Sequence, residues 1–414
     1  KGKVHRCAGP DAIVVGGQWN ALGQIRALGR LGLRIAHGIQ DSTHAYVRAT
    51  RYARSVRLPE VREEPDKAVD ALAEVARQSD GKPVLFFTDD DWLHAVGERE
   101  ELVRERMIIP LSPWSLVEQL LNKQSLCGLA ENAGVPIPVS WSFGSLAALI
   151  EAVAGLTFPC VVKPEKPVNC VQRLPRDLCD SQNHSTVTFS DAEACRKWAE
   201  TRKTAGNDDA FLVQEYIPGT AESLYTLSSY SDRDGRMVTG SVGHKVRQFP
   251  PDAGCITAGR LAHNQQVYDL GRKLLDAVGF HGLANTEFKY DERDKQYKLI
   301  EVNPRLGKWN SSALAAGLNL PAAAYWEMSG REYCVPPFSD RADGMLWLDH
   351  WEDGWYCTRR YKAAGYDNAH LGLTNWIRSL RGRRTDAVWC RDDPMPFVIH
   401  SLQMARKCLL GSAG

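Results

Sequence analysis

The stretch from residue 285 to residue 305 constrains this chain most. Asn285-Thr286-Glu287-Phe288 opens one strand, and Ile300-Glu301-Val302-Asn303 closes another just before Pro304-Arg305. Between them, Asp291-Glu292-Arg293-Asp294-Lys295-Gln296 reads as a solvated hairpin loop, so residues 285 to 290 and 297 to 303 are expected as paired strands. Side chains alternate along a strand, which puts Glu301 and Asn303 on one face. A hairpin centred near Asp294 sets Glu287 opposite Glu301 and brings its carboxylate to the same face. Two carboxylates and an amide oxygen then converge without sulfur or imidazole, a hard donor set that suits Mg2+ shared with phosphate oxygens. A charged hairpin with solvated acids would carry the same letters, and the rest of the chain has to decide.

The bulk numbers narrow the class. A chain of 414 residues holds two or three domains and a sizeable core. Its formal charge of +1, with 24% charged and 43% hydrophobic residues, provides no net basic field, so nucleic acid is not an expected partner. No apolar run is long enough to span a bilayer, and Lys1-Gly2-Lys3-Val4-His5-Arg6-Cys7 lacks the apolar segment of a secretory signal. No membrane partner and a cytoplasmic address are the expectation. Eleven cysteines, an odd number with no Cys-x-x-Cys pair, argue for reduced thiols rather than a disulfide framework. Cys170, Cys179 and His184 lie in one stretch but match no standard zinc spacing.

Along the chain, Asp11-Ala12-Ile13-Val14-Val15-Gly16-Gly17 reads as a buried strand ending in a glycine turn. A helical pattern from Asn20 to Leu31, a strand at Leu33-Arg34-Ile35-Ala36, a helix from Lys67 to Arg77 and a strand at Val84-Leu85-Phe86-Phe87-Thr88 follow. That alternation predicts a parallel sheet covered by helices. Its first turn departs from the Gly-x-Gly-x-x-Gly fingerprint, which argues against a dinucleotide site there. Asp89-Asp90-Asp91 falls just past a strand's carboxyl end, where it serves either as a ligand contact or as a helix cap. Gly134-Val135-Pro136-Ile137-Pro138 marks a hinge, residues 165 to 185 a long loop, and the part beyond 333 an aromatic, basic, helical extension.

Read in order, these pieces resemble an ATP-grasp ligase. The resemblance rests on Leu121-Asn122-Lys123 before a helix, Phe158 to Lys163 on a strand, Gln214-Glu215-Tyr216-Ile217-Pro218-Gly219 with Glu222, and then Glu287, Glu301, Asn303 and Arg305. It spans about residues 10 to 330, and within the superfamily it is similar to carboxylate-amine ligases of the D-aspartate ligase type. Asp392-Asp393-Pro394-Met395-Pro396 also resembles their C-terminal tail. The implied fold is α/β and α+β: a parallel-sheet pre-ATP-grasp domain (1–115), a two-subdomain ATP-grasp domain (116–332) and a helical C-terminal extension (333–414).

The resemblance also implies roles. Lys123 and Lys163 correspond to the family's two nucleotide lysines, Glu215, Tyr216 and Ile217 to the linker that reads adenine, and Glu222 to the group that reaches the ribose. Glu287, Glu301 and Asn303 would hold Mg2+, for which Mn2+ may substitute, beside ATP. Lys245 and Arg247 would sit near the transferred phosphoryl group, and Arg305 would stabilise an acyl phosphate and the tetrahedral species after it. Arg260 is left to either the phosphoryl group or a substrate carboxylate, while Asn310 and Ser311 face substrate, with Ser311 equally placed as a helix cap. The implied activity joins a carboxylate to an amine, both small molecules such as amino acids or related metabolites, with release of ADP and phosphate, in a possible homodimer. An ATP-grasp kinase, a ligase with a thiol or hydroxyl acceptor, and a non-catalytic nucleotide-binding protein are the alternatives. Residues 164 to 186 contain no glycine, unlike the loop that often covers the phosphates in these ligases.

Overall fold

The computed structural model describes residues 9–164, 187–204, 206, 210–251, 254–331 and 342–409. Ala12–Val15 (β1), Ile35–Ile39 (β2), Arg54–Arg57 (β3) and Val84–Phe87 (β4) form the expected parallel sheet in the order β3-β2-β1-β4. Consecutive residues of β1 enter different cores. Ile13 and Val15 pack with Leu72 and Leu93, whereas Ala12 and Val14 pack with Leu22, Ile25 and Leu28. Helices therefore cover both faces, which is why the strand is an unbroken apolar run. At its end Gly16 holds φ at +106°, and a Cβ there would overlap Thr88 and Asp89 beyond β4. Glycine is required for the two loops to meet.

A smaller antiparallel sheet follows, in the order β5-β8-β6-β7, built from Ser140–Phe143 (β5), Cys160–Pro164 (β6), Val187–Phe189 (β7) and Phe211–Glu215 (β8). It has its own core, with Leu146, Leu149, Val162, Phe211 and Val213 around the buried thiols of Cys160 and Cys195. The described cysteines are free. The predicted loop 165–185, with Cys170, Cys179 and His184, lies outside the described residues.

Seven strands make the largest sheet, ordered β13-β12-β9-β10-β11-β14-β15. They are Leu224–Ser231 (β9), Met237–Phe249 (β10), Cys255–Leu261 (β11), Gly282–Asp291 (β12), Gln296–Asn303 (β13), Leu346–Leu348 (β14) and Arg384–Asp386 (β15). The hairpin has the predicted register, with Glu287 opposite Glu301 and Asn285 opposite Asn303. A bulge accomplishes this. Phe288 pairs with Leu299, so Ile300 is an extra residue, and without it Glu287 would face Ile300.

The part beyond 333 carries helices, among them Met395–Leu409, but it also completes the sheet. β14 pairs antiparallel with β11, and β15 parallel with β14. Three-residue strands are too short to show a period, and Leu346-Trp347-Leu348 is buried throughout, which removes the alternation that marks a half-exposed strand. No described helix is long and apolar enough to cross a membrane.

Candidate active site

A cavity of about 810 Å³ is lined by residues of all three sheets. Glu287, Glu301, Asn303 and Arg305 form one wall, Lys123, Lys163, Glu215, Tyr216 and Ile217 another, and loops of the parallel sheet, including Gly16, Gly17 and Asp89 to Asp91, a third. The side chains that the hairpin pattern grouped do lie together. Asn303 Nδ2 donates to Glu301 Oε1 at 2.9 Å, and Lys245 Nζ approaches Glu287 Oε2 at 3.3 Å. Burial pushes the Glu287 carboxyl up, Lys245 pulls it back, and like-charged Glu301 adds to the rise. For Lys245 the balance reverses: burial disfavours its charge, and the attraction of Glu287 and Glu301 outweighs that.

Two further lysines converge from different elements. Lys123 begins the helix Lys123–Asn132, which starts there because Asn122 accepts from Ser125 N at 2.8 Å. Lys163, near the end of β6, donates to Gln214 Oε1 of neighbouring β8 at 2.7 Å. Burial, then repulsion from Lys123, lowers the Lys163 pKa to about 8. Glu301 is the group these cations have in common: its field acts on Lys123, Lys163, Lys245 and Arg305.

Glu215 lines the cavity, yet its carboxylate is engaged elsewhere. It accepts from Lys298 at 2.9 Å, Arg293 at 2.8 Å and Val139 N at 3.1 Å, tying β8 to the hairpin and to the chain before β5. Burial raises its pKa, and these donors bring it below the ordinary value.

Five sequence assignments do not lead into the cavity. Arg247 is expected with Lys245 near the transferred phosphoryl group, and regular alternation would put the two on one face, but β10 bulges between them, with Lys245 opposite Gly259 and Arg247 opposite Ala258. Alternation is lost, and Arg247 turns to the buried Asp353. Glu222 is exposed in the short turn Ala221–Ser223 and does not line the cavity. Arg260 Nη1 donates to the Gly344 carbonyl at 2.6 Å, fastening the chain ahead of β14. Asn310 is buried and donates to the carbonyls of Asn20 and Gly307, both at 3.0 Å. Ser311 Oγ accepts from Trp347 Nε1 at 2.8 Å. A polar side chain near a motif can serve packing as well as substrate, and a sequence pattern does not separate the two.

One lining residue was missed and another was left open. Lys289 follows Glu287 by two positions and so shares its face; its Nζ lies 5.0 Å from the centre of the Tyr216 ring, and burial lowers its pKa to about 8. Period two would have found it. Asp90 opens the helix Asp90–Glu98 and holds Arg305, with Nε to Oδ1 at 2.6 Å and Nη2 to Oδ2 at 2.7 Å. The Asp89-Asp90-Asp91 run serves both readings the sequence left open. Asp89 caps the helix by accepting from Trp92 N at 3.0 Å, and Asp90 reaches the site.

The donor chemistry fits magnesium. Among the described residues no group of three or more His, Cys, Asp and Glu gathers to hold a metal, which leaves two carboxylates and an amide. Mg2+ accepts so small a set because it retains water and takes phosphate oxygens as ligands.

No family model matches the chain. By sequence it is 24% identical over 330 residues to the D-aspartate ligase of Enterococcus faecium, covering 74% of each protein. By structure it matches the N5-carboxyaminoimidazole synthetase of Staphylococcus aureus complexed with ADP, with a TM-score of 0.58, 13% identity and coverage of 79% of both chains. The L-amino acid ligase of Bacillus licheniformis matches with a TM-score of 0.57 and 18% identity, over 81% of this chain and 79% of that one. These likenesses show that the chain has the ATP-grasp fold. In this fold the small sheet supplies Lys163 and Glu215, the large sheet supplies Lys245, Glu287 and Glu301, and the cavity lies between them.

Proposed function

We propose that this protein is an ATP-dependent ligase that activates a carboxylate as an acyl phosphate and joins it to an amine. The observation that carries the reading is Glu301, a carboxylate opposite a second acid and within the field of four cations drawn from separate elements. A triphosphate is the ligand such an array accommodates, because its charge needs several fixed cations and a metal placed among them. Glu287, Glu301 and Asn303 would hold Mg2+, which when bound neutralises phosphate charge and helps align in-line transfer.

The chain's own residues do the remaining work. Lys123 and Lys163 neutralise phosphate oxygens at the small-sheet side, and Lys245 does so at the large-sheet side. Main chain at Glu215 to Ile217 borders the base. Arg305 stabilises negative charge on the group in transfer. A carboxylate oxygen attacks the γ-phosphorus, ADP leaves, and the acyl phosphate presents a carbonyl carbon with phosphate as leaving group. The amine then attacks that carbon, loses a proton and expels phosphate, leaving an amide. No protein nucleophile takes part.

The test is turnover with ATP, Mg2+ and a library of amino acids and related acids and amines. The expected result is ADP and phosphate release that needs both an acid and an amine, with a product lighter by one water than the two inputs combined. A stable phosphorylated product without amine would make the protein a kinase, and absence of adenine nucleotide binding by calorimetry would remove the reading.

A further inference from the structure

We infer that Asp90 is a positioning residue that aims Arg305 at the transferring phosphoryl group, so that the parallel-sheet domain directly sets the geometry of the catalytic cleft. The inference rests on the role proposed for Arg305. A guanidinium has two edges on which it can make paired hydrogen bonds. Asp90 takes the Nε–Nη2 edge with contacts of 2.6 and 2.7 Å. The other edge is only loosely held: Nη1 lies 3.5 Å from the Leu306 carbonyl, and Nη2 lies 3.5 Å from Asn303 Oδ1. That edge is left beside Asn303, where phosphate oxygens are expected. One short bidentate pair therefore fixes the plane of the guanidinium and leaves its other edge available to ligand.

The neighbouring acids cannot substitute. Asp89 is committed to the helix cap and Asp91 to Arg62 at 2.6 Å. Asp90 is held in turn by its place at the first turn of a helix that follows β4, part of the rigid parallel sheet. Arg305 is mostly buried, its side chain 16% exposed, so removal of Asp90 would leave a cation with one loose edge and without the hydrogen-bonded carboxylate that orients it.

The test compares calorimetric Kd values of the Mg2+ complexes of ADP and of the non-hydrolysable analogue AMP-PNP, which adds the terminal phosphate. The variants are Asp90→Ala, Asp90→Glu, Arg305→Ala and the Asp90→Ala/Arg305→Ala double, each checked by thermal melting. In wild type the added phosphate strengthens binding. In Arg305→Ala that gain is expected to shrink about tenfold, the worth of one charge-assisted contact. Asp90→Ala should lose a similar factor, the double variant no more than Arg305→Ala alone, and Asp90→Glu should recover part of it. If Asp90→Ala does not fold, Asp90→Asn, close to isosteric, takes its place. A gain intact in Asp90→Ala but lost in Arg305→Ala overturns the positioning role and leaves the proposed function standing. A gain intact in both overturns the role of Arg305 and the inference with it. Additive losses in the double variant also overturn it, because Asp90 would then act independently of Arg305.

Discussion

Arg247 and Asp353 form a two-pronged ion pair, Nε to Oδ1 at 2.8 Å and Nη2 to Oδ2 at 2.7 Å, at the junction of β10 and the C-terminal part of the chain. Asp353 is completely buried and also accepts from Thr257 Oγ1 and Trp376 Nε1, each at 2.8 Å. Replacing it strands a cation and two neutral donors. Asp353→Ala is expected to destabilise the protein by about 3–5 kcal/mol, measured by denaturant titration. Nucleotide Kd, measured where the variant is folded, should stay within about threefold of wild type because the pair lies off the cavity. Loss of nucleotide binding at undiminished stability would return Arg247 to the site.

Glu287 and Glu301 oppose each other across the hairpin ladder, and their mutual repulsion is one reason the Glu287 carboxyl is pushed up. Glu301 also attracts Lys123, Lys163, Lys245 and Arg305, so its charge has favourable as well as repulsive partners. Glu301→Gln should reduce turnover by at least about 100-fold while the protein stays folded, since an amide keeps the shape of the carboxylate. Activity assays paired with calorimetric melting decide it. Retained turnover would take Glu301 out of the metal site.

Lys163 and Lys289 both titrate near pH 8, each chiefly because burial disfavours the charge. Phosphates prefer the charged lysine, so affinity for Mg-ADP should be flat below about pH 7 and fall above pH 8, by up to about tenfold per pH unit for each lysine that touches phosphate. Binding at pH 8.5 should take up protons, seen as a dependence of the calorimetric heat on buffer ionisation. Stability of the free protein carries the opposite sign. These lysines lose protons in the folded state before the unfolded one, so from about pH 8 to the ordinary lysine value near 10.5 they make stability rise with pH. A pH-independent Kd from 7 to 9 would exclude both from phosphate contact.

Which parts could be read from the chain follows from the range of the physics involved. The hairpin was legible because period two and a charged loop are local signals, but Glu287 meets Glu301 through the bulge at Ile300, which regular counting from the loop does not reveal. The first sheet was legible for the same reason, through the apolar runs at β1 and β4. Arg247 misled because one bulge undoes alternation, and bulges leave no fixed mark in sequence. Asp90 was ambiguous because its partner, Arg305, is 215 positions away. Ser311 and Asn310 stand where substrate loops are expected, but Trp347 and Asn20, their actual partners, are distant in the chain. Local periodicity places strands and helices. Pairings across domains are set by packing, which one sequence does not display.

The tail residues Asp392 and Asp393 provide a contrast between neighbours. Asp393 is buried and accepts from Arg26 Nε at 2.9 Å, Thr50 Oγ1 at 2.7 Å and Arg51 N at 3.0 Å, which pins the tail to the parallel-sheet domain. Asp392 bonds Arg30 at 2.9 Å and Tyr52 at 2.7 Å, but it stands 43% exposed and Arg30 33% exposed. Distances alone would rank the two alike. Solvent decides otherwise: an exposed pair is screened and already well hydrated, so Asp392→Ala should cost about 0–1 kcal/mol. Asp393→Ala removes the anion from a buried guanidinium and leaves a hydroxyl and a backbone N–H without acceptors, for about 3–5 kcal/mol. Denaturant unfolding of the two single variants measures the difference. Equal losses would mean that the tail is held as a unit by its apolar face, with the carboxylates contributing little.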